Sequence, residues 1–211
     1  MVPEKSLGGK IMLEHEKKIM LTEDEYISIV MLMCKYAPMQ TQTNYYFDTE
    51  DFSMNKNGIT CRIRAKDGKF KSTVKRHYTG DEDCSTEIDG EVKDYFDLDT
   101  FKDMGLILQG SLVTERIVLH KEKFCKAVID RNTYLGFTDY ELEIEYTEGH
   151  GDEAMHIIKD IAKKLSNYLK LYPAEEFLNR VGKSKSKSER FFERKLKLQK
   201  EGGQIDNFGF E

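Results

Sequence analysis

Charged residues in this chain alternate with apolar ones, and they are sorted by sign from one segment to the next. Residues 11–21 (IMLEHEKKIML) place Met12, Glu14, Glu16, Lys18 and Met20 on one face, with Leu13, His15, Lys17, Ile19 and Leu21 on the other. That period of two is a strand. Residues 59–66 (ITCRIRAK) put Arg62, Arg64 and Lys66 on one face. Asp67-Gly68 is a two-residue hairpin signal, after which KFKSTVKRHY returns with Lys69, Lys71 and Lys75, and Thr73 between them. Later segments supply Thr114 with Arg116, then Asp130, then Glu141, Glu143 and Glu145. A solvated outer face explains any one of these rows, but solvated faces intersperse the two signs. Eight strands closed into a barrel leave a lumen wide enough for one small ligand. Charges in this number cannot stay unpaired inside it. Inward-facing, the basic rows call for a polyanion and the glutamate rows for a divalent cation. A metal-bound oligophosphate satisfies both.

The rest of the 211 residues fit that frame. Thr22 and Glu25 form a capping box for a largely buried helix that Pro38 ends, with Met31 and Met33 in the core. Strand-like segments follow at 42–49 and, after a turn at 55–58, at 59–66 and 69–78. An acidic stretch, 81–103, reads as a solvated edge apart from Glu87; it holds a strand at 85–92 and a short helix at 100–105. Residues 111–120 and 124–134 pair as a hairpin, and a turn at Leu135-Gly136 leads into a strand at 138–148. Asp152 is expected to cap a long amphipathic helix running to about Leu171. A second helix follows Pro173, then a Lys/Ser run, a charged helix ending near Gly202 and a loose tail from 204. Eight strands without regular βαβ alternation imply an antiparallel sheet. The expected class is α+β, mainly β: an eight-stranded antiparallel barrel with flanking helices, as a single domain over 1–211. Its core spans about 10–192, and 193–211 form the charged helix and tail.

Composition excludes several other classes. With 11 Tyr, 12 Phe and only 3 Pro, the chain has a packed interior rather than disorder. A net charge of −5 makes nucleic-acid binding through bulk positive charge an unsuitable reading. Cys34, Cys61, Cys84 and Cys125 form no CxxC pair and have no His at zinc spacing, so free thiols in a reducing cytosol are expected. Residues 1–10 carry no secretory pattern, and the longest apolar run, 29–34, is too short to span a bilayer. A cytoplasmic protein without membrane association is expected. The five histidines show no ligand spacing.

Geometry narrows the ligand. Glu14 and Glu16 are two residues apart on a strand, so their Cα atoms lie roughly 6–7 Å from each other. One Mg²⁺, with oxygens at about 2.0–2.1 Å, can then be shared between Glu16 and Glu143 or Glu145, with Glu14 contributing directly or through water. Lys18, one step along, reaches a phosphate held by that ion, and Arg62 and Arg64 offer forked donors for phosphate oxygens.

The E-H-E-K-K segment (Glu14, Glu16, Lys18) resembles the ExExK signature of the CYTH family, the triphosphate tunnel metalloenzymes. The elements that follow agree in order: YYFDT at 45–49, RIR at 62–64, STVK at 72–75, TER at 114–116, the 128–145 block and SKSERF at 186–191. They cover nearly the whole chain, and the last two look most like a Gram-positive bacterial branch. The resemblance implies a tunnel that binds a triphosphate with Mg²⁺ or Mn²⁺. It makes Glu14, Glu16, Glu143 and Glu145 metal-binding, and Arg62, Arg64, Lys75, Arg116, Lys187 and Arg190 substrate-binding. Lys18, Glu16 and Glu143 are then the catalytic set, and Glu87 and Asp130 are further tunnel residues. Lysines alternate through the 183–187 run, so Lys185 competes with Lys187 for its place. Family activities include inorganic triphosphatase, thiamine triphosphatase, RNA 5′-triphosphatase and class IV adenylate cyclase. Hydrolysis of inorganic triphosphate is the expected activity; cyclisation of ATP and non-catalytic polyphosphate or nucleotide binding are the alternatives.

Overall fold

The computed structural model describes residues 11–34, 37–77, 84–93, 96–169 and 173–205. Eight strands, β1 (Ile11–Leu21), β2 (Met39–Asp48), β3 (Ile59–Lys66), β4 (Lys69–His77), β5 (Cys84–Lys93), β6 (Ile107–Lys121), β7 (Cys125–Tyr134) and β8 (Phe137–Tyr146), close into a barrel in the order β1-β5-β4-β3-β2-β6-β7-β8. Every neighbouring pair is antiparallel. Two meanders, β2 to β5 and β6 to β8, meet along the β2–β6 pair, and β1 closes the gap between β5 and β8. The turn at Asp67-Gly68 has φ of 50° and 74°, the double positive that a tight hairpin matching strand twist requires.

What covers the barrel decides which faces point in. Ile19, Leu142, Ile144, Ala127 and Ile129 project outward beneath helix α3 (Gly151–Leu169), which buries Ala154, Ile158, Ile161, Ala162 and Leu165 against them. Each such burial is worth roughly 1.5–3 kcal/mol for the larger side chains. Helix α1 (Glu23–Met33) adds Ile29, and the short helix α4 (Ala174–Leu178) adds Phe177. Across the barrel, Phe47, Cys61, Ile63 and Val74 pack under a 3-10 turn (Leu98–Met104) through Phe101 and Leu106. With the apolar faces covered outside, the charged faces line the lumen.

One end of that lumen is filled. Helix α5 (Lys187–Ile205) lays Phe191 and Phe192 against Tyr46, Leu112, Tyr134 and Phe52 of the short helix α2's N-cap (α2, Ser53–Lys56). These six side chains are 0–4% exposed. Gly110, at φ 142°, lies against the Phe191 ring, and a Cβ there would sit 2.8 Å from its nearest carbon.

Several local expectations are corrected. Helix α1 is buried along a narrow face only: Met31 is 64% exposed, and only Met33 packs against the core. Asp152 lies inside the first turn of α3 rather than capping it, because the helix begins at Gly151; its expected end near Leu171 lies outside the described residues. Asp89, assigned to a solvated edge, faces Lys71 and Thr73 on the lumen side of β4. Strand β6 begins at Ile107 despite Gly110, and α5 continues through Gly202 to Ile205. The remainder of the tail lies outside the described residues. All four cysteines are free and buried. Among the described residues, no helix is long and apolar enough to cross a membrane.

Candidate active site

The lumen holds a cavity of about 570 Å³ of empty space, its open mouth included. Strands β1 and β8 bring the acids together because Glu16 pairs with Glu145, and Lys18 with Glu143, across the same ladder. Glu14 and Glu145 are each about a third exposed at the side chain, whereas Glu16, Lys18 and Glu143 are 15% or less. Depth therefore increases from Glu14 and Glu145 at the mouth towards Glu143.

Opposite them stands the basic wall. Lys75 Nζ donates to Glu14 Oε2 at 2.6 Å and lies 3.9 Å from Glu16. Arg62 Nη2 donates to Glu87 Oε1 at 2.9 Å. Arg116 holds Asp130 with two hydrogen bonds, at 2.7 and 2.6 Å, and donates to Glu143 Oε2 at 2.5 Å. Lys187 Nζ lies 3.0 Å from Asp130 and 2.7 Å from Glu143, and also contacts Glu141. Of the alternating lysines, Lys187 lines the cavity, whereas Lys185 is 59% exposed and pairs with Glu193. Arg190 turns to Asp139 and Glu141, each at 2.8 Å, at the sealed end rather than on the cavity wall.

The electrostatics follow from this crowding. Burial disfavours the Glu16 carboxylate, but Lys18 and Lys75 outweigh it and hold the group well below its usual range. Glu143 goes the other way: burial, reinforced by Glu16 and Asp130, pushes it up to about 7 against Arg116. Burial likewise drives the Lys187 ammonium far down, with Arg116, Lys18 and Arg190 adding to it against Asp130.

The donors suit a hard divalent ion. Glu16 Oε1 and Glu143 Oε1 converge on Lys18 Nζ at 3.0 and 3.7 Å, an ammonium standing where two carboxylates meet. Glu145 adjoins them through the ladder, and carboxylate oxygens alone are the donor set of Mg²⁺ or Mn²⁺. A second acidic group, Asp130, Glu141 and Glu143, has oxygens within 4.8 Å of one another, but Lys187 occupies its centre.

The structure gathers Glu14, Glu16, Lys18, Arg62, Arg64, Lys75, Glu87, Arg116, Glu143, Glu145 and Lys187 around the cavity. Residues the sequence reading missed share their parity. Lys126, four before Asp130, pairs with Glu145 at 2.9 Å at the mouth; Asp139, two before Glu141, anchors Arg190 and Tyr134. Along β2, Gln42 and Tyr46 line the cavity as well.

Comparison with known proteins agrees with this architecture. The CYTH domain family model matches residues 12–172. The chain is 30% identical over 152 residues to the Bacillus subtilis (strain 168) protein named "Putative triphosphatase YjbK", covering 65% of this chain and 80% of that protein. Its fold is similar to that of a Bacillus halodurans protein described as a "putative adenylate cyclase" (TM-score 0.60, 24% identity, 74% of this chain and 91% of the other). It is also similar to HpAC1 of Hippeastrum, a "putative adenylyl cyclase" described as having a dominant triphosphatase activity (TM-score 0.55, 17% identity, 73% and 87%). With the barrel, its sign-sorted lumen and the family match in agreement, this chain belongs to the CYTH family.

Proposed function

We propose that the chain is a metal-dependent triphosphatase whose first substrate is inorganic triphosphate, split into pyrophosphate and phosphate. One observation carries the reading: a cavity in the lumen sets a wall of Arg62, Arg64 and Lys75 against one of Glu14, Glu16, Glu143 and Glu145. Inorganic triphosphate with a divalent ion is the smallest ligand that meets both walls. Arg62, Arg64, Lys75, Arg116 and Lys187 bind phosphate oxygens, exchanging carboxylate partners for phosphate ones. Arg190, through Asp139 and Glu141, fixes the closed end. Glu14, Glu16, Glu143 and Glu145 hold Mg²⁺ or Mn²⁺, which when bound neutralises phosphate charge and polarises the bond to be broken. Lys18 lies between the acids and the substrate and steadies the charge that develops on the transferred group. Phosphoryl transfer asks for positioning and charge neutralisation rather than a protein nucleophile, and a cavity carboxylate, Glu16 or Glu143, orients the attacking water.

The test is phosphate release from inorganic triphosphate, ATP and thiamine triphosphate with Mg²⁺ or Mn²⁺, alongside a cyclic AMP assay and a Glu16→Gln control. Metal-dependent turnover of inorganic triphosphate, lost in the control, is expected. Cyclic AMP made from ATP, or triphosphate binding without turnover, would overturn the proposal.

A further inference from the structure

The lumen faces of most strands carry charges, but β2 presents only amides and an aromatic ring from Gln40 to Tyr46: Gln40, Gln42, Asn44, Tyr46. Two of the three amides are engaged by cations of β3, Gln40 accepting from Lys66 Nζ at 2.8 Å and Asn44 from Arg64 Nε at 2.9 Å. Gln42 makes no such bond among the described residues. It is 4% exposed and lines the cavity, and its Nε2, like Asn44 Nδ2, is buried with no hydrogen-bond partner. A buried amide left unsatisfied costs about 1–3 kcal/mol, so its place in the lumen needs a reason that the ligand-free fold does not supply.

Its neighbour suggests one. Gln42 pairs with Lys66 across the β2–β3 ladder, while Arg64 pairs with Asn44, so Gln42 and Arg64 are diagonal neighbours on one face, within reach of a shared ligand. Lys18, Arg62, Lys75, Arg116 and Lys187 each hold a carboxylate. Among the described residues, Arg64 is the cavity cation with no carboxylate in ion-pair reach, its guanidinium meeting only the neutral Asn44. An amide, being uncharged, is likewise not claimed by the lumen acids. The unpaired N–H groups of Gln42 are donors, the kind of partner a phosphate oxygen accepts from.

Building on the triphosphate reading, we propose that Gln42 is a further substrate-binding residue, donating to a non-bridging phosphate oxygen beside Arg64. Together the two form the part of the wall that receives an anion without first breaking an ion pair. The neutral amide adds affinity for phosphate without adding a cation for the glutamates to capture.

The experiment compares full-length wild type with Gln42→Met, which keeps length and removes the polar atoms, and with Gln42→Glu, which keeps shape and repels an anion. Binding of inorganic triphosphate is measured by calorimetry in EDTA, KM and kcat with Mg²⁺, and thermal stability without ligand. Losing one hydrogen bond to a charged group should weaken binding about tenfold or more in Gln42→Met, and further in Gln42→Glu. The loss should appear in KM more than in kcat. Ligand-free Gln42→Met should melt no lower than wild type, because an unsatisfied amide has been removed; a purely structural glutamine would give the opposite. Unchanged triphosphate affinity in whichever variant folds would overturn the assignment while leaving the triphosphatase reading intact. Absence of triphosphate binding by wild type, in EDTA and with Mg²⁺, would remove both.

Discussion

Glu16 and Glu143 lie in the same cavity, and the same burial acts on both, yet their carboxyls move in opposite directions. Two lysines overcome desolvation at Glu16, whereas the neighbouring acids add to it at Glu143. Removing either charge takes away an oxygen donor of the acidic wall, so Glu16→Gln and Glu143→Gln are each expected to lower metal-dependent turnover roughly 100-fold or more. Retained metal-dependent activity in Glu143→Gln would remove that residue from the set. On the outer side of β3, Cys61 makes a pH prediction. Burial, with the Asp48 carboxylate adding to it, pushes its thiol from 9.0 up to about 12. An acid whose pKa is raised by folding contributes stability that is complete below the unfolded value and lost as pH climbs through the folded one. Urea midpoints should therefore fall from pH 9 upward, and Cys61→Ala should flatten that slope. Native Cys61 should also resist thiol reagents at pH 8, as measured by labelling and mass spectrometry.

Elements are held to the barrel by a few well-placed groups, and these were the least legible in the sequence. Asp48 ends β2 and accepts from the backbone N–H groups of Thr49, Met54 and Asn55 at 2.8–2.9 Å, so one fully buried carboxylate organises helix α2. Asp48→Ala should cost about 2–4 kcal/mol in denaturant unfolding, as three part-buried donors lose their acceptor. Alternation made most of the strands readable, because those have a covered outer face and a charged inner one. The Thr22–Glu25 capping box is local chemistry and is formed as read. Helix faces were harder: the apolar run of α1 promised burial, but α3 covers only the side near Ile29 and Met33, and Met31 faces out. The lumen role of Asp89 was hidden by acidic neighbours in sequence; its ion pair with Lys71 exists only once β4 and β5 are in register. Lys126 and Asp139 could have been found by extending the parity of Asp130 by two more steps and that of Glu141 by one.

For the whole molecule, closure removes every exposed sheet edge and leaves the cavity as the place where opposite charges are pressed together without a ligand. A triphosphate that enters it should stabilise the fold by mass action. At about 100 times Kd the gain is about 2.7 kcal/mol, or roughly 5–10 °C in melting temperature for a chain of this size. Differential scanning fluorimetry with and without inorganic triphosphate and Mg²⁺ measures it. The closed architecture was legible because eight alternating segments with sign-sorted faces have few other ways to hide that much charge. The sealing of one end was not, since it depends on Phe191 and Phe192 of α5 meeting Tyr46, Leu112 and Tyr134 from strands far away in the chain. Among the described residues, that aromatic seal closes one end of the barrel. With that end closed, the side of Glu14 and Glu145 is the doorway; on the proposed triphosphatase reading, pyrophosphate and phosphate leaving by it would compete with the next substrate, and a long phosphate polymer would present its end.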